Sequence, residues 1–320
     1  MSEVAMAEKR RRRPSLGMAE VVRTGRPMDE AAESRWAQRA LAAVRPRARG
    51  APLPPHLRVT VNFHPDHMVG GRTVLESLAA SGTYRSQFET GISNGGLTAR
   101  RGGDRFEWER RSFDGVYDDA PPQHRPKYGA LNHRERDVGA APRFGSAYLR
   151  LTAHTLARTT FCFPDSVNNP ERFGTANACD LIAAAEDFAR SVRTEAQEAR
   201  TGGMLDDYVE AHVHGPVVLA ADVEAVVLDP CYRGTRLAEQ AAALEVPVEW
   251  HEGRVLTVDE LVRHPDFRGR RIMELGRRLV VHERLDASII GAARAAGAAH
   301  VQDLKLLWHL VARFGTPRVH

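Results

Sequence analysis

The sequence predicts an α+β fold: a mixed or antiparallel sheet core followed by a helical C-terminal region. Three observations carry this expectation. Short alternating runs cluster between residues 57 and 228, the period-two signature of half-buried strands. After Asp229 the apolar spacing widens to three and four residues, which is helical. Strands followed by helices, rather than interleaved with them, favour α+β over a parallel α/β sheet.

The elements follow in order. Residues 29–44 allow a short helix, and four prolines between residues 46 and 55 read as a linker. Residues 57–63 (LRVTVNF) alternate as a strand. Residues 73–80 carry Val74, Leu75 and Leu78, and Gly82 is a natural stop, so a short helix is expected. Residues 88–103 hold five glycines in a polar setting, a long loop of the kind that often binds or covers a ligand. Residues 144–151 and 158–163 read as strands, 176–200 as a helix ended by Gly202 and Gly203, and 208–213 and 223–228 as strands. Thr257 with Glu260 fits a capping box, and Asp286 fits a cap for residues 287–296. Val301, Leu304, Leu307, Leu310 and Val311 form a helical stripe across residues 299–314. This divides the chain into a disordered basic tail (1–50), an α+β core (51–232) and a mainly helical extension packed on it (233–320).

Charge and composition exclude several classes. The net charge of +4 is not spread over the chain. Residues 1–50 hold 12 basic and 6 acidic side chains, whereas the remainder holds 33 and 35. The basic excess, including the run from Lys9 to Arg13, therefore belongs to the tail, which is expected to touch nucleic acid only nonspecifically. No apolar run reaches the roughly 18 residues of a membrane span, and the first thirty residues lack an apolar signal region. Cys162, Cys179 and Cys231 are too far apart for a disulfide framework or a CxxC site, which suits the cytoplasm. Only three of the 45 basic residues are lysine, so an arginine carries little information by itself.

Four clusters bear chemistry. His64-Pro65-Asp66-His67 follows the first strand, where polar side chains project into clefts. Ser93-Asn94-Gly95-Gly96 lies in the glycine loop, and a turn of such residues exposes successive N–H groups to a phosphate or amide. No GKS or GKT follows it, so it is not a phosphate loop of the nucleotide-hydrolase type. Tyr128 and Tyr148 sit in KYG and RFGSAY segments, where each reads as a ligand contact or as a packing aromatic. Glu210, His212 and His214 share one face of a strand by period two.

Around these clusters, VNFHPD (61–66), SQFETGISNGGLTA (86–99), RPKYGALN (125–132), RFGSAYLRL (143–151) and YVEAHVHGPV (208–217) resemble a bacterial family of unknown function, number thirty-six twenty-six. That family implies a boundary, not a mechanism. The layout is also similar to that of ADP-ribosyltransferases of the histidine–tyrosine–glutamate type. There a first strand ends in the histidine, a short helix closes on a serine–glycine stop, a tyrosine follows, and a late strand begins with the catalytic glutamate. His64, Ser81-Gly82, Tyr128 or Tyr148, and Glu210 fall in that order.

This resemblance implies NAD as substrate and no metal. Cleaving the nicotinamide–ribose bond passes through an oxocarbenium-like state that a carboxylate stabilises. Glu210 would supply it, His64 would hold the ribose, and a tyrosine would stack on nicotinamide. The Ser93–Gly96 loop would bind pyrophosphate or amide, and residues 194–208 would face the acceptor. Arginine-modifying members carry a glutamine or glutamate two residues before the catalytic one; here Tyr208 stands there. The acceptor is therefore open between protein, nucleic acid and small molecule. Two other readings stand beside this one: a metal-dependent hydrolase using His64, Asp66, His67, His212 and His214, and a noncatalytic module binding a nucleotide or partner through the glycine loop.

Overall fold

The computed structural model describes residues 27–92, 96–192 and 205–318. The expected α+β architecture is present, organised around one mixed sheet of eight strands. In chain order its elements are α1 (Pro27–Val44), β1 (Val59–Phe63), α2 (Val74–Ser81), α3 (Asp104–Ser112), β2 (Lys127–Leu131), β3 (Ala147–Leu151), β4 (Thr159–Phe163), β5 (Arg172–Thr175), α4 (Leu181–Ser191), β6 (Val209–Val213), β7 (Val223–Leu228), α5 (Arg236–Ala242) and β8 (Val248–Trp250). Helices α6 (Val258–Arg263), α7 (Arg270–Leu279), α8 (Ala287–Ala295) and α9 (Val301–Phe314) follow. The strand order is β8-β7-β3-β1-β2-β6-β4-β5. Only the β7·β8 pair is parallel among these neighbours.

Local chemistry sets the elements that flank the site. Thr73 caps α2 in a full capping box, its hydroxyl accepting from the Glu76 N–H while Glu76 accepts from the Thr73 N–H. Gly82 ends the helix at φ 64°, a left-handed stop that glycine adopts without strain. Thr257 and Asp286 cap α6 and α8, although the box expected at Thr257 is half made, since the Glu260 carboxylate meets Arg263 and His264 instead of the Thr257 N–H.

One face of the sheet builds the main core. Val59, Val61, Phe63, Leu149, Phe161, Val209 and Ala211 pack there with Leu75 and Leu78 of α2 and Leu181 and Ala185 of α4. On the other face, Cys162 and Phe173 meet Ala40 and Val44 of α1 and Trp108 of α3. The C-terminal helices have an apolar cluster of their own, including Leu261, Ile272, Leu275, Leu304 and Leu307. Trp308 ties that cluster to the sheet region, donating its indole N–H to the Pro142 carbonyl at 2.8 Å while 1% exposed. Trp308→Ala is expected to destabilise the fold by about 3–5 kcal/mol, read as a lower urea midpoint at unchanged m-value.

Three expectations change. Residues 27–50 are not an outlying tail: α1 buries Ala40 and Val44, and Leu53 joins the main core. The Lys9–Arg13 run lies outside the described residues. The helix expected over 176–200 spans Leu181–Ser191, because residues 175–178 form a tight turn closed by the Thr175↔Ala178 bridge. Residues 193–204 are outside the described residues, which removes most of the 194–208 acceptor segment from view. The core also does not end at residue 232, since β8 completes the sheet from beyond that point. No helix among the described residues is long and apolar enough to cross a membrane.

Candidate active site

The sheet parts near the end of its first strand. β1 pairs with β2 only through Val59↔Leu131 and Thr60↔Ala130. Beyond Thr60, β1 continues in register with β3 alone, through Phe63↔Ala147. Tyr128 meanwhile pairs with His212 of β6. The sheet is therefore two half-sheets joined at one end. Gly129 permits the close approach at the join, because a Cβ there would lie 2.7 Å from the Thr60 carbonyl oxygen.

A cleft is lined from both halves. Asn62 and His64 come from β1 and its end, and Tyr128 and Glu210 come from β2 and β6. Arg105 of α3 and Tyr84, which follows the α2 stop, complete its walls. His64, Tyr128 and Glu210, separated by up to 146 positions in sequence, thus face one space.

Glu210 forms the floor and is 6% exposed. Its Oε2 accepts from the Ser166 hydroxyl at 3.1 Å, and its Oε1 lies 3.1 Å from His212 Nε2. Burial opposes its charge, but the hydrogen bond from His212, with the Arg105 charge and the Ser166 hydroxyl, outweighs this and holds the carboxyl below its usual range. Arg105, 2% exposed, donates to the Ser166 hydroxyl at 2.8 Å and lies 3.9 Å from the centre of the Tyr128 ring. The Tyr128 hydroxyl donates to Glu109 at 2.8 Å, and Arg125 donates to the other Glu109 oxygen at 2.6 Å. Tyr128 is consequently a fixed wall, with one face under a guanidinium and its hydroxyl already engaged.

His64 is half-buried, with its ring edge-on to Trp308 at 5.2 Å. Burial, then Arg294 and His67, keep its pKa well below that of a free imidazole. A neutral ring beside a cleft can either donate or accept a hydrogen bond.

Other expected residues fall elsewhere. Tyr148 shares this face of the sheet but does not line the cleft; it borders a separate groove with Arg150 and Trp250. The chain between Asp137 and Gly145 crosses the sheet between the two places. Asn62 Nδ2 donates to the Val138 carbonyl at 2.9 Å, the Ala140 N–H to Thr60 Oγ1 at 2.9 Å, and the Tyr148 hydroxyl to the Asp137 carbonyl at 2.9 Å. Ser93, Asn94 and Gly95 lie outside the described residues; Ile92 lines the cleft, and Gly96 does not.

The five-residue metal set is not assembled either. Asp66 and His67 sit with His64 beside α8, where Asp66 faces Arg294 at 3.6 Å. His212 and His214 are instead enclosed by Trp108, Phe113 and Tyr117, with both nitrogens of each ring in hydrogen bonds. Cys162, Glu210 and His212 do offer ligand atoms within 4.8 Å of one another. Burial pushes the Cys162 thiol well above its ordinary pKa.

Two cleft residues escape sequence reasoning. Arg105 is one of 42 arginines and has no distinguishing neighbourhood. Tyr84 had a signal, as the second residue past the Gly82 helix stop.

The sequence profile of a protein family of unknown function, DUF3626, matches residues 58–198 and 186–314. The chain belongs to this family. The DUF3626 match covers the parted sheet, the cleft and the C-terminal helices together, so it crosses the boundary expected at residue 232. No curated protein matches the chain.

The buried histidines of this DUF3626 member make its stability depend on pH. Burial, before any other cause, lowers the pKa of His212, His214 and His309. A group depressed on folding stabilises the fold above its unfolded pKa and loses that contribution as pH falls below about 6.5. Glu109, raised by burial, acts with the opposite sign and offsets part of the loss. Unfolding free energy from urea titration is expected to fall by about 2–4 kcal/mol between pH 7.5 and 5.5. An unchanged value would mean that these rings take up protons in the fold as readily as in the unfolded chain.

Proposed function

We propose that the protein is an NAD-dependent enzyme resembling ADP-ribosyltransferases, which cleaves the nicotinamide–ribose bond with Glu210 as catalytic carboxylate. The observation that supports this most is the convergence of His64 and Glu210 on one cleft from opposite halves of the parted sheet. The order of residues along the chain did not require it.

The chemistry follows from the types and their surroundings. As the bond to nicotinamide stretches, positive charge develops on the ribose. An ionised carboxylate in a largely water-free floor stabilises that charge more strongly than one in bulk solvent. The neutral His64 ring would hydrogen-bond a ribose hydroxyl and fix the sugar over Glu210. Tyr128 would serve as a wall, and the Tyr84 ring, which enters the same cleft, is the better surface for nicotinamide. The cleft encloses about 150 Å³, below the roughly 300–1,000 Å³ of a site that holds a whole drug-sized ligand. It would therefore take the reactive end of NAD, with the pyrophosphate and adenosine lying along the rim at Ile92.

The acceptor remains open between protein, nucleic acid, small molecule and water. Tyr208, two residues before Glu210, spends its hydroxyl on Asp165 and presents no carboxylate or amide to an arginine acceptor. NAD as substrate suits an enzyme of the cytoplasm.

The test is incubation of the protein, with and without cell extract, with NAD labelled in the nicotinamide or the adenylate. The expected result is release of labelled nicotinamide, with adenylate label moving to an acceptor or to free ADP-ribose. Absence of nicotinamide release under both conditions, together with no measurable NAD binding, would overturn the proposal.

A further inference from the structure

Behind Glu210, on the side away from the cleft, four groups stand in single file. The Tyr117 hydroxyl meets His214 Nδ1 at 2.7 Å, and His214 Nε2 meets Thr160 Oγ1 at 2.9 Å. Thr160 Oγ1 meets His212 Nδ1 at 3.1 Å, and His212 Nε2 meets Glu210 Oε1 at 3.1 Å. His212, His214 and Thr160 are fully buried, and Tyr117 is 1% exposed. Phe113 packs edge-on to both imidazoles, Trp108 lies 4.9 Å from His212, and Tyr117 stacks on His214 at 14°. These rings hold water away from the links.

Counting protons fixes the direction of every link. An ionised carboxylate only accepts, so His212 Nε2 must donate to Glu210. A neutral His212 then has an accepting Nδ1, which takes the one Thr160 proton. Thr160 oxygen must accept in turn, so His214 donates from Nε2 and accepts at Nδ1 from the Tyr117 hydroxyl. The reverse order would set a lone pair of His212 against the Glu210 anion at 3.1 Å. It becomes available only if Glu210 carries a proton. Cys162 Sγ, 3.6 Å from His212 Nε2, is the second neighbour of that N–H and does not alter the count.

We propose that Tyr117, His214, Thr160 and His212 form a positioning chain that holds the His212 ring with its Nε2–H on Glu210 and thereby aims Glu210 at the cleft. His212 is the positioning residue in contact with the carboxylate; the other three act through it. The assignment rests on the reading of Glu210 as the catalytic carboxylate, but the tautomers follow from geometry. The charged and titratable groups around Glu210 belong to several elements: His212 and Tyr208 on or beside β6, Arg105 and Glu109 on α3, Tyr128 on β2, Cys162 on β4 and Asp165 after it. Glu210 at Nε2 and Thr160 at Nδ1 together fix which His212 nitrogen bears hydrogen and how the ring is turned.

The test uses the full-length protein labelled with ¹⁵N-histidine, read by long-range proton–nitrogen correlation between pH 6 and 8. Both His212 and His214 are expected as Nε2–H tautomers. Thr160→Val should release His214 into a tautomer mixture while Glu210 still holds the Nε2–H form of a less firmly oriented His212, and Thr160→Ser should restore both rings. In nicotinamide release, Thr160→Val should lower kcat by about tenfold at unchanged KM for NAD and move the acid limb of the pH profile upward, while Thr160→Ser recovers both. Tyr117→Phe, which keeps the ring and cuts the far end, should show a smaller change in the same direction if the valine variant does not fold. An Nδ1–H tautomer of His212, or equal losses in the serine and valine variants, would overturn the chain. If the wild type releases no nicotinamide, the enzymatic reading fails while the tautomers still decide the chain.

Discussion

Glu210→Gln is expected to lower NAD cleavage by about a thousandfold while leaving the fold and NAD binding nearly intact. The amide keeps the shape, and its one oxygen can still accept from His212 while its NH2 turns to the Ser166 hydroxyl, but it removes the charge that the developing oxocarbenium needs. Loss of one preorganised electrostatic group in a buried site commonly costs a factor of about 10²–10³ in kcat. Losing a full charge at the reacting sugar should reach the upper end. Tyr148→Phe is the internal control, since its hydroxyl binds the Asp137 carbonyl in the neighbouring groove. Nicotinamide release by the two variants should differ by at least two orders of magnitude. A Glu210→Gln protein that turns over NAD like the wild type would remove Glu210 from the mechanism.

Arg125→Ala is expected to cost about 3–5 kcal/mol of stability. The side chains of Arg125 and Glu109 are 5% and 0% exposed, and their charge-assisted hydrogen bond is 2.6 Å long. Removing one partner strands the other charge in the interior, which costs far more than the intact pair contributes. Arg125 also donates to the Tyr117 carbonyl at 2.6 Å and lies 4.1 Å from the Phe88 ring centre, so two further contacts go with it. Urea unfolding measures the loss. Adding Glu109→Gln to the same protein should recover part of it, because the stranded charge is then gone. No recovery in the double variant would attribute the loss to packing instead.

The parts of this fold that the sequence made legible are those whose side chains obey a simple period. LRVTVNF and YVEAHV alternate because one face meets the main core and the other meets the cleft or α1. His64 and Glu210 could be singled out because each sits at a strand end or on a polar strand face. α3 was invisible for a physical reason: its buried positions include Arg105, Glu109 and Ser112 as well as Phe106 and Trp108, so no apolar stripe marks it. β2 was hidden in the same way, with Pro126 before it and Gly129 in its middle, the glycine demanded by the close approach to β1 rather than by strand propensity. Sequence alone left the choice between Tyr128 and Tyr148 open because only tertiary structure reveals the 137–145 segment that lies between Tyr148 and the cleft. The buried network of Arg105, Glu109, Arg125 and Tyr128 joins three elements, and no local pattern encodes such a meeting.

The most direct test of the account is the structure of the protein with an unreactive NAD analogue bound. The expected complex places the nicotinamide ribose between His64 and Glu210, in the gap where β1 and β2 part, with nicotinamide against Tyr84. An analogue bound elsewhere, or one that leaves Glu210 without contact to the ribose, would contradict the account at its centre.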